Sequence, residues 1–292
     1  MIDQLDRKML RYYGNPNTPE EYEDNPIIKG KKVVVLIPTH NNESLLPVWF
    51  NFIYKLNPQP IEYVFAENNS HDDTLKLIER FKRPTKLIRV WFKKKPIGKG
   101  ESFYTTIAHI RQLLLTYARQ SNCDYAIFLD TDIFPATTEL ISHMINWNAD
   151  IVGGKYMRFF PEGLFIASYW KSGDKKFRLK PLTDLPFEEV ECTSAGCLCL
   201  SKKVIQDRRV NFYPIFGAFH TSEDFAYCRQ ARARGYKVYL DSLVDVRHFC
   251  PTDKAPNPWT FGLGNNSYSR GESRNIKRKK INRRSRKKNA TT

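Results

Sequence analysis

Two aspartates one residue apart, Asp130 and Asp132, close the stretch YAIFLDTD after five apolar residues. Carboxylates set this closely at the end of a buried strand either cap the next element or hold something positive. A second acidic pair, Glu223-Asp224, comes after Ser222 and opens the helical pattern SEDFAYCRQARARG. Ser222 as N-cap with carboxylates in the first turn stabilises a helix by about 1 kcal/mol. The same mount would also present a general base to a hydroxyl. Three further polar clusters stand out: Pro38-Thr39-His40-Asn41-Asn42-Glu43, Glu67 through Asp73, and Lys95-Pro96-Ile97-Gly98-Lys99-Gly100. Each alone reads as turn chemistry. With the Asp130–Asp132 pair they make four at the ends of successive strands, and together they read as one site.

The elements that must position them emerge from periodicity. VVVLI (33–37) is a β-branched run suited to a buried parallel strand, followed by helix-patterned ESLLPVWFNFIYKL with Pro47 in its first turn. IEYVFA, KLIRVWF and YAIFL supply three more strands, and DDTLKLIERF a second helix with Asp72 or Asp73 near its cap. Phe103, Ile107, Ile110, Leu114 and Tyr117 form one apolar stripe, and TTELISHMINW another helix. Strands alternating with helices predict an α/β fold with a parallel sheet. The second half, with LFIASYW, KKFRL, EVECT, GCLCL and YKVYL, predicts short strands that extend that sheet. Ligands of such sheets gather beyond the carboxyl ends of the strands, where these clusters fall.

Composition narrows the class. A 292-residue chain with 41% hydrophobic residues can bury a sizeable core. The first twenty residues lack a signal-peptide pattern and no run is long enough to span a membrane, which predicts a cytoplasmic protein. Six cysteines do not form a disulfide framework; Cys197 and Cys199 alternate on one strand and read as core thiols. Of the +16 formal charge, +10 lies between Arg270 and Lys288, leaving +6 elsewhere. That stretch reads as a disordered basic tail, a partner for anionic membrane or nucleic acid.

Taken together, the clusters resemble family 2 glycosyltransferases. VVVLIPTHNNESLLP is similar to the family's IPTYNEE opening, AENNSHDDT to VDDGSTDGT, IGKGES to RGKGAA, and LDTD to the DxD motif of the wider GT-A superfamily. GCLCLSKKVI resembles the later strand and helix start, and SEDFAYCRQARARGYKV the acceptor-side helix with its Glu-Asp pair. The resemblance spans residues 33 to 248. It implies a GT-A fold: a single Rossmann-like mixed sheet with helices on both faces. The domain would run over 30–255, with a donor half to about 155 and an acceptor half beyond. An extension (1–29) would precede it, and a C-terminal loop and tail (256–292) would come after it.

The resemblance also implies an activity of hexosyltransferase type. A sugar would pass from a nucleotide-diphosphate donor to an acceptor hydroxyl on a glycan, lipid or protein, with a divalent cation, Mn2+ or Mg2+, on the diphosphate. It places Pro38, Thr39, Asn41, Glu43, Glu67, Asn68 and Lys99 on the donor, and Asp130 beside its ribose. It implies Asp132 as the direct metal ligand, with Asp130 and His248 completing the set. It likewise implies Asp224, with Glu223 beside it, as the base of an inverting reaction. Glu67 and Asn68 depart from the family's two aspartates, leaving uridine and guanosine donors both open. Two rivals make different predictions. A sugar-phosphate nucleotidyltransferase would carry a Gly-rich basic loop where this chain has PTHNNES. A nucleic-acid-binding protein would act through the tail, with steeply salt-dependent affinity.

Overall fold

The computed structural model describes residues 30–91, 101–135, 137–160, 163–166, 170–173, 176–179, 187–213, 222–249 and 262–263. Its first half runs β1 (Val33–Thr39), α1 (Leu46–Ile53), β2 (Glu62–Asn68), α2 (Thr74–Glu79) and β3 (Thr85–Val90). A long helix, α3 (Glu101–Ser121), leads to β4 (Tyr125–Leu129), β5 (Ile133–Pro135) and α4 (Leu140–Asn146). The second half has β6 (Ile151–Lys155) and the short strands β7 (Met157–Phe160), β8 (Gly163–Ile166), β9 (Trp170–Gly173) and β10 (Lys176–Leu179). Then come β11 (Phe187–Val190), β12 (Cys197–Ser201), α5 (Lys202–Gln206), α6 (Glu223–Arg232), β13 (Val238–His248) and β14 (Gly262–Leu263).

The main sheet has the order β11-β13-β6-β12-β4-β1-β2-β3, with β5 paired to β13. β4, β1, β2 and β3 are parallel, and β6 and β13 are parallel to each other. β12 lies antiparallel between β4 and β6, so the sheet is mixed. The carboxyl ends of β1, β2, β3, β4, β6 and β13 therefore share one edge. The second half covers the β4 side as expected, while β3 stays as the terminal strand.

Period two sorts the core. Val33, Val35 and Ile37 pack with α1 and α4, whereas Val34 and Leu36 face Leu114, Leu115 and Ala118 of α3. Cys197 and Cys199 fall together on the first face, as their alternation predicts. Ile110 and Leu114 of the expected stripe on α3 are buried, joined by Ala108, Arg111, Leu115 and Ala118, while Ile107 and Tyr117 are half-buried. Tyr117 reaches outward because its hydroxyl donates to Glu62. Asp73 occupies the N-cap position of α2 without capping; Asp72 accepts from the Thr74 amide instead, at 3.1 Å. No helix among the described residues is long and apolar enough to cross a membrane.

Candidate active site

The aspartate motif sits on a corner where β4 gives way to β5. The Ile133 amide donates to the Asp130 carbonyl at 3.0 Å, closing the turn, and the buried Trp49 indole donates to the Ile133 carbonyl at 3.2 Å. β5 pairs with the end of β13, setting Ile133 opposite His248, and the Phe249 amide donates to the Asp132 carbonyl at 2.7 Å. This pairing brings two sequence-distant predictions together. His248 Nε2 lies 3.2 Å from Asp132 Oδ2, while its Nδ1 is buried without a hydrogen-bond partner. Asp132 is the open member, with its side chain 40% exposed.

Asp130 turns the other way. Its Oδ2 accepts from Arg111 Nη2 at 2.8 Å, and its Oδ1 is buried and unpartnered. The same guanidinium donates through Nε to Glu223 Oε1 at 3.1 Å and through Nη1 to the Ala195 carbonyl at 3.0 Å. Arg111 is buried, with its guanidinium 5.6 Å from the centre of the Phe128 ring. One cation thus links the aspartate motif to the acidic pair at the start of α6. Burial, together with the neighbouring Asp224, pushes Glu223 up to about 8 against the opposing pull of Arg111. Burial likewise raises Asp130, again opposed by Arg111.

Ser222 stands at the N-cap of α6 with extended backbone, but its hydroxyl caps no amide. It donates to the Asp224 carboxylate instead. Asp224 Oδ1 also accepts from the Phe225 amide at 2.8 Å, and Oδ2 from the Ala195 amide at 3.2 Å. Both oxygens of Asp224 are thus engaged, and Glu223 faces Arg111.

The loop before β12 joins these parts. Ala195 serves Asp224 through its amide and Arg111 through its carbonyl, the Gly196 carbonyl accepts from the Asp130 amide at 2.9 Å, and Ser194 Oγ accepts from the Tyr156 hydroxyl. A Cβ on Gly196 would lie 2.8 Å from that hydroxyl, so the close approach requires glycine. Tyr156 packs beside His248, with ring centres 5.8 Å apart, and is buried as a core residue rather than open to a sugar.

The donor side is built at the ends of β1 and β2. Thr39 pairs with Glu67 across the sheet, and Pro38, Thr39, Glu67 and Asn68 are all buried. Glu67 Oε1 accepts from the Ser70 amide at 2.6 Å, and Oε2 lies 3.9 Å from Arg89 Nε. Asn68 Oδ1 is buried without a partner. Asn41 and Glu43 latch the two loops together: Asn41 Oδ1 accepts from the His71 amide at 2.9 Å and Glu43 Oε2 from the Asp73 amide at 2.7 Å. Asn41 holds a left-handed backbone (φ 50°), which asparagine tolerates. Lys99, the 1–29 extension and the basic tail lie outside the described residues.

Among the described residues, no three His, Cys, Asp or Glu side chains converge as a ready metal cage. The expected trio is divided because Asp130 is drawn to Arg111 and Asp132 to His248. The donor chemistry nevertheless suits a divalent cation. Asp130 offers a bare buried oxygen and Asp132 an exposed carboxylate, both hard ligands that fit Mg2+ or Mn2+.

The residue that sequence reasoning missed is Arg111. Its spacing carried a signal, because Ala108, Arg111, Leu115 and Ala118 repeat at three and four residues. A lone cation in an otherwise apolar helical stripe marks a buried ion pair.

Comparison with known proteins bears on the family and the fold. A family model described as glycosyl transferase family 2 matches residues 34–209. No curated protein sequence matches the chain. Among solved structures, a mannosyltransferase from Pyrobaculum calidifontis in complex with GDP-Man and Mn2+ shares 13% identity at a TM-score of 0.53. That match covers 87% of this chain and 66% of the other. TarS 1–349 of S. aureus in complex with UDP-GlcNAc shares 15% identity at a TM-score of 0.49, covering 76% of this chain and 60% of that one. The chain thus spans less than two thirds of either structure's length. The family match over more than half of the sequence settles the class: this chain belongs to glycosyl transferase family 2 and is a glycosyltransferase of GT-A fold.

Proposed function

We propose that the chain transfers a sugar from a nucleotide-diphosphate donor to an acceptor hydroxyl, with inversion and with a divalent cation bound at Asp132 and Asp130. The observation that carries this reading is the closed set of contacts at one sheet edge: His248 and Asp132, Asp130 and Arg111, Arg111 and Glu223, Asp224 and Ala195. The fold likeness to a mannosyltransferase holding GDP-Man and Mn2+ supports the donor class, while both uridine and guanosine donors remain candidates. Glu67 and Asn68 are assigned to the base and ribose; the unpartnered Asn68 Oδ1 supplies a buried acceptor for a donor N–H or O–H. Lys99 is assigned to the diphosphate. Thr39 and Pro38 are assigned to the donor as well.

When bound, the cation neutralises charge on the leaving diphosphate. The chain's own residues do the rest. Arg111 and the Gly196 carbonyl hold Asp130 in place, and His248 orients Asp132. The acceptor's proton goes to the acidic pair at the start of α6. Family resemblance assigns that role to Asp224. The geometry favours Glu223, whose proton affinity near neutral pH suits a general base and whose oxygens are less engaged. In-line attack opposite the leaving diphosphate inverts the anomeric carbon, through a transition state of oxocarbenium character. The tail between Arg270 and Lys288 is assigned to anionic membrane, near a lipid-linked acceptor. Liposome flotation with and without residues 270–292 tests that, and binding to nucleic acid instead would overturn it.

The central test is a panel of UDP- and GDP-sugars, with Mn2+, Mg2+ or EDTA, read as released nucleoside diphosphate. Metal-dependent turnover is expected, with Asp132→Ala lowering it by about 100-fold or more. Full turnover by Asp132→Ala with metal present sinks the mechanism. Comparing Glu223→Gln with Asp224→Asn locates the base, and proton NMR of the first-formed product reads the anomer.

A further inference from the structure

We propose that Arg111 is a positioning residue that ties the donor-side carboxylate of Asp130 to the acceptor-side carboxylate of Glu223, fixing Glu223 for proton transfer. The inference rests on the reading of Glu223 as base given above.

Three of its guanidinium nitrogens each meet a different acceptor: Nη2 meets Asp130 at 2.8 Å, Nη1 the Ala195 carbonyl at 3.0 Å, and Nε Glu223 at 3.1 Å. A guanidinium is planar and rigid, so these bonds fix the two carboxylates relative to each other as well as to the arginine. The Ala195 carbonyl acts as a third pin. Arg111 cannot swing toward one carboxylate without loosening its hold on the other. The Phe128 ring beneath limits movement out of plane. The three partners come from separate parts of the chain: the end of β4, the loop before β12 and the first turn of α6.

A merely structural link at this depth would be made as well by apolar side chains of similar volume, because burying charge costs several kcal/mol per ion before pairing repays it. The cluster is also lopsided. Asp130, Glu223 and Asp224 all act on Arg111. A cation set among more carboxylates than it can neutralise holds geometry as well as balancing charge. A lysine would fill this role only in part, since an ammonium keeps the charge but lacks the fork that reaches three acceptors in one plane.

The test compares the native full-length chain with Arg111→Gln, Arg111→Lys, Glu223→Gln and the Arg111→Gln/Glu223→Gln double variant. The substrate is whichever nucleotide sugar the native chain hydrolyses fastest, with water as acceptor. Affinity for UDP and GDP with Mn2+ is measured separately by calorimetry, and folding by circular dichroism. Arg111→Gln is expected to lower kcat by about 30-fold or more, with a smaller loss of nucleotide affinity because Asp130 loses the same partner. Arg111→Lys should recover part of the loss. The double variant should be no slower than Glu223→Gln by more than about twofold, because both changes disable one unit. Native kcat in a folded Arg111→Gln, or losses that simply add in the double variant, overturn the proposal, as does an equal loss of nucleotide affinity. If Arg111→Gln does not fold, Arg111→Lys, which keeps the buried charge, decides: native kcat there overturns it, and reduced kcat at unchanged KM supports it. Native kcat in Glu223→Gln also overturns it while leaving the glycosyltransferase reading intact. A native chain that turns over no nucleotide sugar under any metal condition removes that reading, and this proposal with it.

Discussion

Glu223→Gln should change how stability depends on pH, and the structure sets the size of the change. Burial and the nearby Asp224 raise the Glu223 carboxyl from its ordinary 4.5 to about 8. The folded chain therefore keeps a proton that the unfolded chain releases. Between these two values the native state binds more protons, so stability falls as pH rises. The contribution is fully present below about 4.5 and lost as pH passes through about 8. Three and a half units at about 1.4 kcal/mol each come to about 5 kcal/mol. Asp130 and Asp241 are raised too and act in the same direction, whereas Asp207 and Asp72 are lowered and oppose it. Only the difference between native and variant isolates Glu223. Glutamine mimics the protonated acid and can still accept from Arg111. Urea unfolding followed by tryptophan fluorescence from pH 5 to 9, in EDTA, should show the two proteins nearly equal at pH 5. The variant should then gain about 1.4 kcal/mol per unit up to pH 8 and level off beyond it. A gap that stays flat, or a native chain more stable than the variant at pH 9, refutes the reasoning.

Three other perturbations have defined outcomes. Arg119 donates to the carbonyls of Ile205, Asp207 and Val210 and to the Asn211 side chain, closing the end of α5, so Arg119→Met should cost about 2 kcal/mol in urea unfolding. Gly196→Ala should lower Tm by several degrees, about 1–3 kcal/mol of overpacking against the Tyr156 hydroxyl, and Tyr156→Phe in the same chain should recover part of it. His248→Ala should weaken Mn2+ binding by about tenfold in calorimetry while leaving the far-ultraviolet dichroism unchanged, because His248 bonds to Asp132 at the β5–β13 junction.

The sheet was legible because its strands are short β-branched runs ending in polar clusters, and periodicity alone places those clusters on one edge. Asp130, Asp132, Glu223 and Asp224 could be picked out as residue types at strand and helix ends. Their partners could not. Which carboxylate Arg111 meets depends on how α3, α6 and the loop before β12 pack, a contact set between residues as far apart as 111 and 223. The latching role of Asn41 and Glu43 was hidden for a related reason. Their side chains point at the neighbouring loop, and only the pairing of β1 with β2 reveals that the two loops meet. The cap at Ser222 failed locally, because Asp224 competes for the hydroxyl two residues away.

The charge of the site bears on how a donor enters it. At the aspartate edge Asp130, Asp132, Glu223 and Asp224 gather, and among the described residues the buried cation that faces them is Arg111, already engaged on three sides. A nucleoside diphosphate brings further negative charge toward the same edge. At about 4 Å, two like charges repel by about 4 kcal/mol at an effective dielectric of 20, so a bare diphosphate beside Asp132 is strongly disfavoured. Positive charge must arrive with the donor or be waiting for it. Asp132 is exposed enough to accept a cation from solvent, and Asp130 keeps one bare oxygen. UDP or GDP should therefore bind at least about 30-fold more tightly with Mn2+ than in EDTA, and Asp132→Asn should reduce that ratio to near unity while improving metal-free binding. Equal affinity with and without Mn2+ would mean that Lys99 or another cation supplies the charge, and the aspartate pair would lose its assigned role.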